Sequence, residues 1–104
     1  MPDLTCTAWR VGDFESRTEE YEMVFAVEDG DRTTERKLGV KYQAARAYEI
    51  NASLDAAVEA AREVIAGSGL EARPTDEVLA KFAWRTIQSV KYEEGGSKSG
   101  WLEI

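Results

Sequence analysis

Two alternating segments that meet at a turn signal near position 30 constrain the fold more than any other feature. From Tyr21 to Val27 every second residue is large and apolar, as expected of a β-strand with one buried face. The segment Thr33 to Tyr42 also alternates, and the intervening Asp29-Gly30 is typical of a hairpin turn. The sequence therefore predicts an antiparallel β-hairpin.

The register of this hairpin can be tested against the apolar pattern, because a slip of one residue turns every side chain to the opposite face. A two-residue turn at Asp29-Gly30 places Met23 opposite Arg36. A four-residue loop over 29–32 matches apolar with apolar residues and acid with base, so we expect that register. Its pairs are Tyr21–Val40, Met23–Leu38, Val24–Lys37 and Glu20–Lys41.

Segments on either side of the hairpin are less regular. Residues 4–11 are rich in β-branched and alternating residues and are predicted to form a strand that ends at Gly12-Asp13. Residues 43–51 fit a helix or a strand, and we favour a strand ending near Ile50. Residues 93–100 are rich in glycine and serine and predict a flexible loop, and 101–104 return as a short edge strand.

Two amphipathic helices are predicted in the second half of the chain, over 53–66 and 75–91. Ser53 is the expected N-cap of the first helix, and Thr75 or Asp76 that of the second, while Gly67-Ser68-Gly69 ends the first. The predicted core face of the first helix consists of Leu54, Ala57, Val58, Ala61, Val64 and Ile65. The predicted core face of the second helix consists of Leu79, Phe82, Ala83, Thr86, Ile87 and Val90.

These elements predict an α+β fold, with an antiparallel sheet of three to four strands and two helices packed on one face. Residues 1–50 are expected to be mainly β. The 104 residues suit one hydrophobic core, so we expect residues 1–104 to form a single domain.

The residue types that are missing exclude much chemistry. Without histidine, Ser-His-Asp and Cys-His nucleophile pairs and histidine-containing zinc sites are excluded. Cys6 is the only cysteine and is expected to be a small buried apolar residue. No apolar run approaches the roughly 20 residues that span a bilayer. We therefore expect a cytoplasmic protein that is not an enzyme, has no cofactor or metal and does not bind membranes.

Charge is distributed unevenly along the chain, whose net charge is −7. Residues 1–35 hold ten acids against three bases, and residues 36–104 hold ten of each, so the N-terminal part carries the whole excess. Such a negative field repels nucleic acid and attracts basic proteins, so this part of the chain is a candidate docking surface. The simpler alternative is that the excess of acids only aids solubility. The acids predicted to contact a basic partner are Glu19, Glu20, Glu22, Asp29 and Asp31.

Trp84 is a second candidate for partner contact. It lies about 140° from Leu79 on a helical wheel, outside the core face, so we expect it to be exposed. Exposed tryptophan is enriched at interface hot spots, although Trp84 could instead pack under the glycine-rich segment. Trp9 is expected on the outward face of the first strand, with Trp101 as its cover.

Three functions follow from these features. The first is a non-catalytic interaction module that docks its acidic β half on a basic protein or complex. By analogy with phage-encoded inhibitors that mimic nucleic acid, such a module could act as an inhibitor without binding nucleic acid directly. The alternative is a self-assembling structural subunit, such as a homodimer, that uses Trp84 and the hairpin edge. The third is a small enzyme that relies on paired carboxylates.

Overall fold

The computed structural model describes residues 3–11, 18–43, 47–71, 73–90 and 97–104, which form an antiparallel sheet and two helices. The elements are β1 (Asp3–Val11), β2 (Thr18–Asp29), β3 (Arg32–Gln43), α1 (Ala47–Gly67), α2 (Asp76–Val90) and β4 (Ser97–Glu103). The sheet order is β3-β2-β1-β4. Helix α1 packs on β3 and β2, and α2 packs on β1 and β4. The predicted α+β fold, with both helices on one sheet face, is confirmed.

The β2–β3 hairpin has the predicted register, with all four predicted pairs present. The ladder continues to the pair Asp29–Arg32, so only Gly30 and Asp31 form the turn and the loop is shorter than predicted. Gly30 has φ +63° at the first central position, where a type II′ turn needs a positive φ that glycine adopts readily. The additional pair Asp29–Arg32 shortens the loop but leaves the register of the hairpin unchanged.

The hydrophobic core lies between the inward sheet face and the helices. The rings of Phe25 on β2 and Phe82 on α2 lie 6.4 Å apart at 54°, a tilted aromatic contact between the two layers. The predicted core face of α2 is completely buried, and so is that of α1 except for the partly buried Leu54. The strands contribute Leu4, Cys6, Ala8, Tyr21, Met23, Phe25, Val27 and Val40.

The C-terminal end of α1 and the start of α2 follow the predicted signals. Gly69 has φ +78°, and its N–H donates to the carbonyl of Ala66 at 3.2 Å, which closes α1. Thr75 Oγ1 accepts a hydrogen bond from the Val78 N–H at 3.3 Å and therefore caps α2.

Neither helix combines the length and apolar character that a membrane span needs, as far as the described residues show.

The start of α1 corrects the prediction for residues 43–51. The helix begins at Ala47, so the strand expected to end near Ile50 is wrong, and Ser53 lies inside α1 and is not its N-cap. The three-residue alternation at 48–50 is too short to distinguish a strand from a helix. Residues 44–46 of this ambiguous segment, the predicted strand end at 12–13 and the predicted helix end at 91 lie outside the described residues.

The C-terminal edge strand exists but is longer than expected. Strand β4 includes residues 97–100, which were predicted as part of a flexible loop, while 93–96 lie outside the described residues. Pairing with β1 orders these residues, because β1 supplies the backbone partners that a loop would lack. Gly100 pairs with Cys6, and a Cβ at Gly100 would lie 3.4 Å from the Phe82 ring, at ordinary contact distance.

Candidate interaction surface

The sheet face opposite the helices is open in the part of the chain that the structure describes. Side chains alternate along each strand, so the residues between the buried ones point to this outer face. They are Asp3, Thr5, Thr7, Trp9 and Val11 of β1; Glu20, Glu22, Val24, Ala26 and Glu28 of β2; Thr33, Glu35, Lys37 and Gly39 of β3; and Ser97, Ser99, Trp101 and Glu103 of β4.

Six exposed carboxylates gather at the end of the sheet that holds the hairpin turn, and we call them the acidic rim. Strand pairing places Asp3 opposite Glu103 and Leu4 opposite Val27, which brings the corresponding ends of β1, β2 and β4 together. The rim consists of Asp3, Glu28, Asp29, Asp31, Glu35 and Glu103. Across the described ranges, none of the six has an ion pair or a hydrogen bond through its side chain. Their charge is therefore presented to solvent.

Two arginines of β3 that could neutralise the rim are directed toward α1 instead. Arg32 donates a hydrogen bond to the carbonyl of Gly67 at 3.3 Å, at the C-terminal end of α1, where the helix dipole favours a cation. Arg36 forms an ion pair with Glu63 of α1. Both bases thus tie the hairpin to the helix layer.

The opposite end of the outer face is electrostatically balanced. Glu22 and Lys37 form an ion pair at 3.3 Å, and Lys37 Nζ also lies 5.4 Å from the centroid of the Trp9 ring. Glu20 is paired with Lys41 in the β2–β3 ladder. A basic partner would find less net charge at this end than at the rim.

The five acids predicted to contact a partner therefore do not form one group. Asp29 and Asp31 belong to the acidic rim, whereas Glu20 and Glu22 lie at the balanced end. Glu20 and Glu28 are separated by about 27 Å along β2, at about 3.4 Å per residue. Glu19 lies in β2, and its side chain is outside the described residues. The predicted set did not include the rim residues Asp3, Glu28, Glu35 and Glu103, and only the pairing of β4 with β1 brings Glu103 to the rim.

The exposed tryptophan is Trp101 and not Trp84. Trp84 is half-buried and packs against the core, so the expectation that it is exposed is wrong. Its large ring reaches the core from the flank of the helix, which a helical wheel does not show. Trp101 is 73% exposed, and the other exposed large apolar side chain among the described residues is Val78, at 41%.

The sequence suggested that Trp101 covers Trp9, but in the structure it does not. Trp101 pairs with Thr5 and Trp9 pairs with Ser97, because β4 runs beside β1 and not over it. Between these pairs, the hydroxyls of Thr7 and Ser99 share a hydrogen bond of 2.8 Å. The alternation of Ser97, Ser99 and Trp101 was the available signal for the outward direction of Trp101.

Cavities also lie outside the rim. A cavity of about 500 Å³ lies between the end of α1 and the start of α2. Arg62 of α1 and Asp76 of α2 both line this cavity and form an ion pair with each other. Arg73 also lines this cavity and donates to the carbonyl of Leu70 at 2.9 Å. A smaller cavity of about 250 Å³ lies between α2 and β4.

Nucleophilic chemistry has no support at Cys6. The thiol is buried in the core, as predicted, and burial raises its pKa from 9.0 to about 12, although a hydrogen bond with Thr86 acts in the opposite direction. Among the described residues no three acidic or cysteine side chains are grouped so that they could hold a metal ion.

Comparison with known proteins adds no family to this picture. No protein-family model, curated protein or solved structure gives a significant match to the chain.

Proposed function

We propose that this chain is a non-catalytic protein-interaction module that docks its acidic rim on a basic surface of a partner protein. The observation that carries the proposal is the convergence of six exposed carboxylates from all four strands, with Arg32 and Arg36 directed away toward α1. When the partner's basic surface is one that binds nucleic acid, docking there would make the module an inhibitor.

The geometry of the rim strengthens its field. Neighbouring strands lie about 4.8 Å apart, so four strands place their ends within about 15 Å of one another. The screening length at 0.1 M salt is about 10 Å, so adjacent rim charges act together on an approaching cation. Charge of this kind mainly raises association rates and sets the orientation of the complex.

Charge reversal of the rim tests the proposal. The variant Glu28→Lys/Asp31→Lys/Glu35→Lys should bind an arginine- and lysine-rich probe peptide at least about tenfold more weakly, and its affinity should depend less on salt. Fluorescence anisotropy of the labelled peptide at several salt concentrations measures both effects.

The matched control reverses three exposed acids outside the sheet, as Asp55→Lys/Glu59→Lys/Glu71→Lys. It changes the net charge by the same amount and should retain most of the affinity. An equal loss in both triple variants would show that only net charge matters and would contradict docking by the rim.

Self-assembly, the alternative function, has weaker support. It relied on an exposed Trp84, which is half-buried, and on the hairpin edge. Two copies would also bring their acidic rims into the same assembly, at a cost in like-charge repulsion. Light scattering at high protein concentration distinguishes the two functions, since the interaction module should remain a monomer.

A further inference from the structure

The two edges of the sheet differ in how they are protected. Strand β3 carries several charged residues and packs against α1. Strand β4 has an uncharged centre, Ser99 to Leu102, and a strand neighbour on one side only among the described elements. Natural sheets usually protect an edge with charge, proline or a covering element; β4 carries charge only near its ends, at Lys98 and Glu103, so its uncharged centre is the part that can accept another strand.

The inward side of the β4 edge has room for an added side chain. The cavity of about 250 Å³ between α2 and β4 is lined by Phe82, Arg85, Thr86, Ser89, Ser99, Gly100 and Trp101. Gly100 has no side chain to fill it. Arg85 would repel a cation there, so the cavity suits an uncharged, apolar residue.

The outward side of the same edge suits a cation. Trp101 presents its ring to solvent, and Glu103 lies two residues further along the same strand face. Asp3 is paired with Glu103, so two carboxylates adjoin the ring. A guanidinium or ammonium group can stack on an indole ring and pair with carboxylates at the same time. A cation of the partner could thus contact the Trp101 ring in the way that Lys37 contacts the Trp9 ring.

We propose that β4 accepts an extended segment of a basic partner protein as a fifth strand of the sheet. Side chains of an added strand alternate between the two faces. One apolar side chain would enter the cavity beside Gly100, and the next, an arginine or lysine, would stack on Trp101 near Asp3 and Glu103. This inference rests on the proposed function, because it assumes that the partner is basic.

Charge complementarity favours a basic partner segment over a second copy of the chain as the occupant. Strand β4 adjoins the acidic rim through Glu103, and a second copy would carry the same rim and the same net charge of −7. Pairing two copies along β4 would therefore join two chains that each carry −7, whereas a basic strand would neutralise part of that charge.

Amide hydrogen exchange on the full chain tests strand addition. The probe is a short amidated peptide of alternating valine and arginine, and its control replaces every arginine with glutamate. Saturation with the valine–arginine peptide should slow exchange of the β4 amides that point away from β1, because they gain hydrogen-bond partners. The valine–glutamate peptide should give no protection.

Two substitutions localise the contact. Trp101→Ala removes the exposed ring, and Gly100→Val fills the cavity from inside; a Cβ at Gly100 meets its neighbours at ordinary contact distance. Each should weaken binding of the valine–arginine peptide about tenfold. The control Val78→Ala shortens the other exposed large apolar side chain and should leave affinity unchanged. If the Gly100→Val variant does not fold, the peptide affinity of Trp101→Ala and the amide hydrogen-exchange pattern still test strand addition.

The outcomes separate this inference from the proposed function. Peptide binding that depends on the rim but neither protects β4 nor responds to Trp101→Ala overturns strand addition and leaves rim docking in place. Equal binding of the glutamate peptide overturns the basic partner, and with it both proposals. A dimer whose β4 amides are protected without peptide identifies a second copy as the occupant and overturns the inference.

Discussion

The three tryptophans show how one residue type takes different roles according to its surroundings. Trp84 rests against the core, Trp9 lies under the ammonium group of Lys37, and Trp101 faces solvent on the edge strand. Sequence patterns place Trp9 on the outward face correctly, because the alternation in β1 is regular. They misplace the other two, since the reach of a large ring and the pairing of a distant strand are not local properties.

Burial should make Cys6 unreactive in the folded protein. Its pKa of about 12 leaves almost no thiolate at neutral pH, and the core excludes reagents. We expect a maleimide reagent to modify Cys6 only as fast as the protein unfolds, with complete reaction in denaturant. Mass spectrometry of timed samples measures this, and rapid native-state modification would contradict the buried position.

The same pKa predicts a dependence of stability on alkaline pH. The folded thiol binds its proton more tightly than the unfolded thiol, whose pKa is 9.0, so the stabilisation is complete below pH 9 and is lost as pH rises toward about 12. The free energy of unfolding should therefore fall more steeply over this range than in a Cys6→Ala variant. Denaturant melts at several pH values give the difference, and parallel curves for the two proteins would refute the prediction.

At the scale of elements, local signals account for the hairpin and the helix ends. The β2–β3 register follows from matching apolar faces, and Gly30 and Gly69 supply the positive φ that turn and helix end require. Residues 97–100 form a strand against the local signal, because β1 offers them backbone partners. The start of α1 at Ala47 shows that a mixed local pattern leaves the boundary open.

The cap at Thr75 gives a prediction for α2. Replacing Thr75 with alanine leaves the Val78 N–H without its side-chain acceptor and should lower the free energy of unfolding by about 1 kcal/mol. Thr75→Ser keeps the hydroxyl and should cost much less. Urea unfolding of the three proteins measures both changes, and equal losses in the two variants would mean that the cap bond is not the cause.

At the scale of the whole molecule, the arrangement of charge is the feature most relevant to the proposed function. On the helix side, the Arg36–Glu63 and Arg62–Asp76 ion pairs neutralise part of the charge, while the rim has no such partners in the described ranges. The fold thus gathers six carboxylates without ion-pair partners at one end of the sheet. The proposed docking on a basic surface depends on this local density of charge and not on the total charge.

Mutual repulsion within the rim should make stability depend on salt. Sodium chloride screens like charges, so the melting temperature should rise as the salt concentration increases from low values. Reversing one central rim charge, as Glu28→Lys, should raise the melting temperature at low salt and reduce the salt effect. Glu59→Lys on α1 is the control with the same charge change, and it should alter the salt effect less. Equal salt responses in the two variants would show that the rim charges do not act together.

Sequence patterns were sufficient to predict the α+β class, the hairpin register and the core faces of both helices, because each depends on periodicity within a short segment. The composition of the rim, the burial of Trp84 and the exposure of Trp101 became apparent only once the chain was folded. These depend on contacts between distant parts of the chain, such as the Thr7–Ser99 pair, 92 residues apart. Such pairing is selected by the packing of the whole core, and local patterns do not contain it.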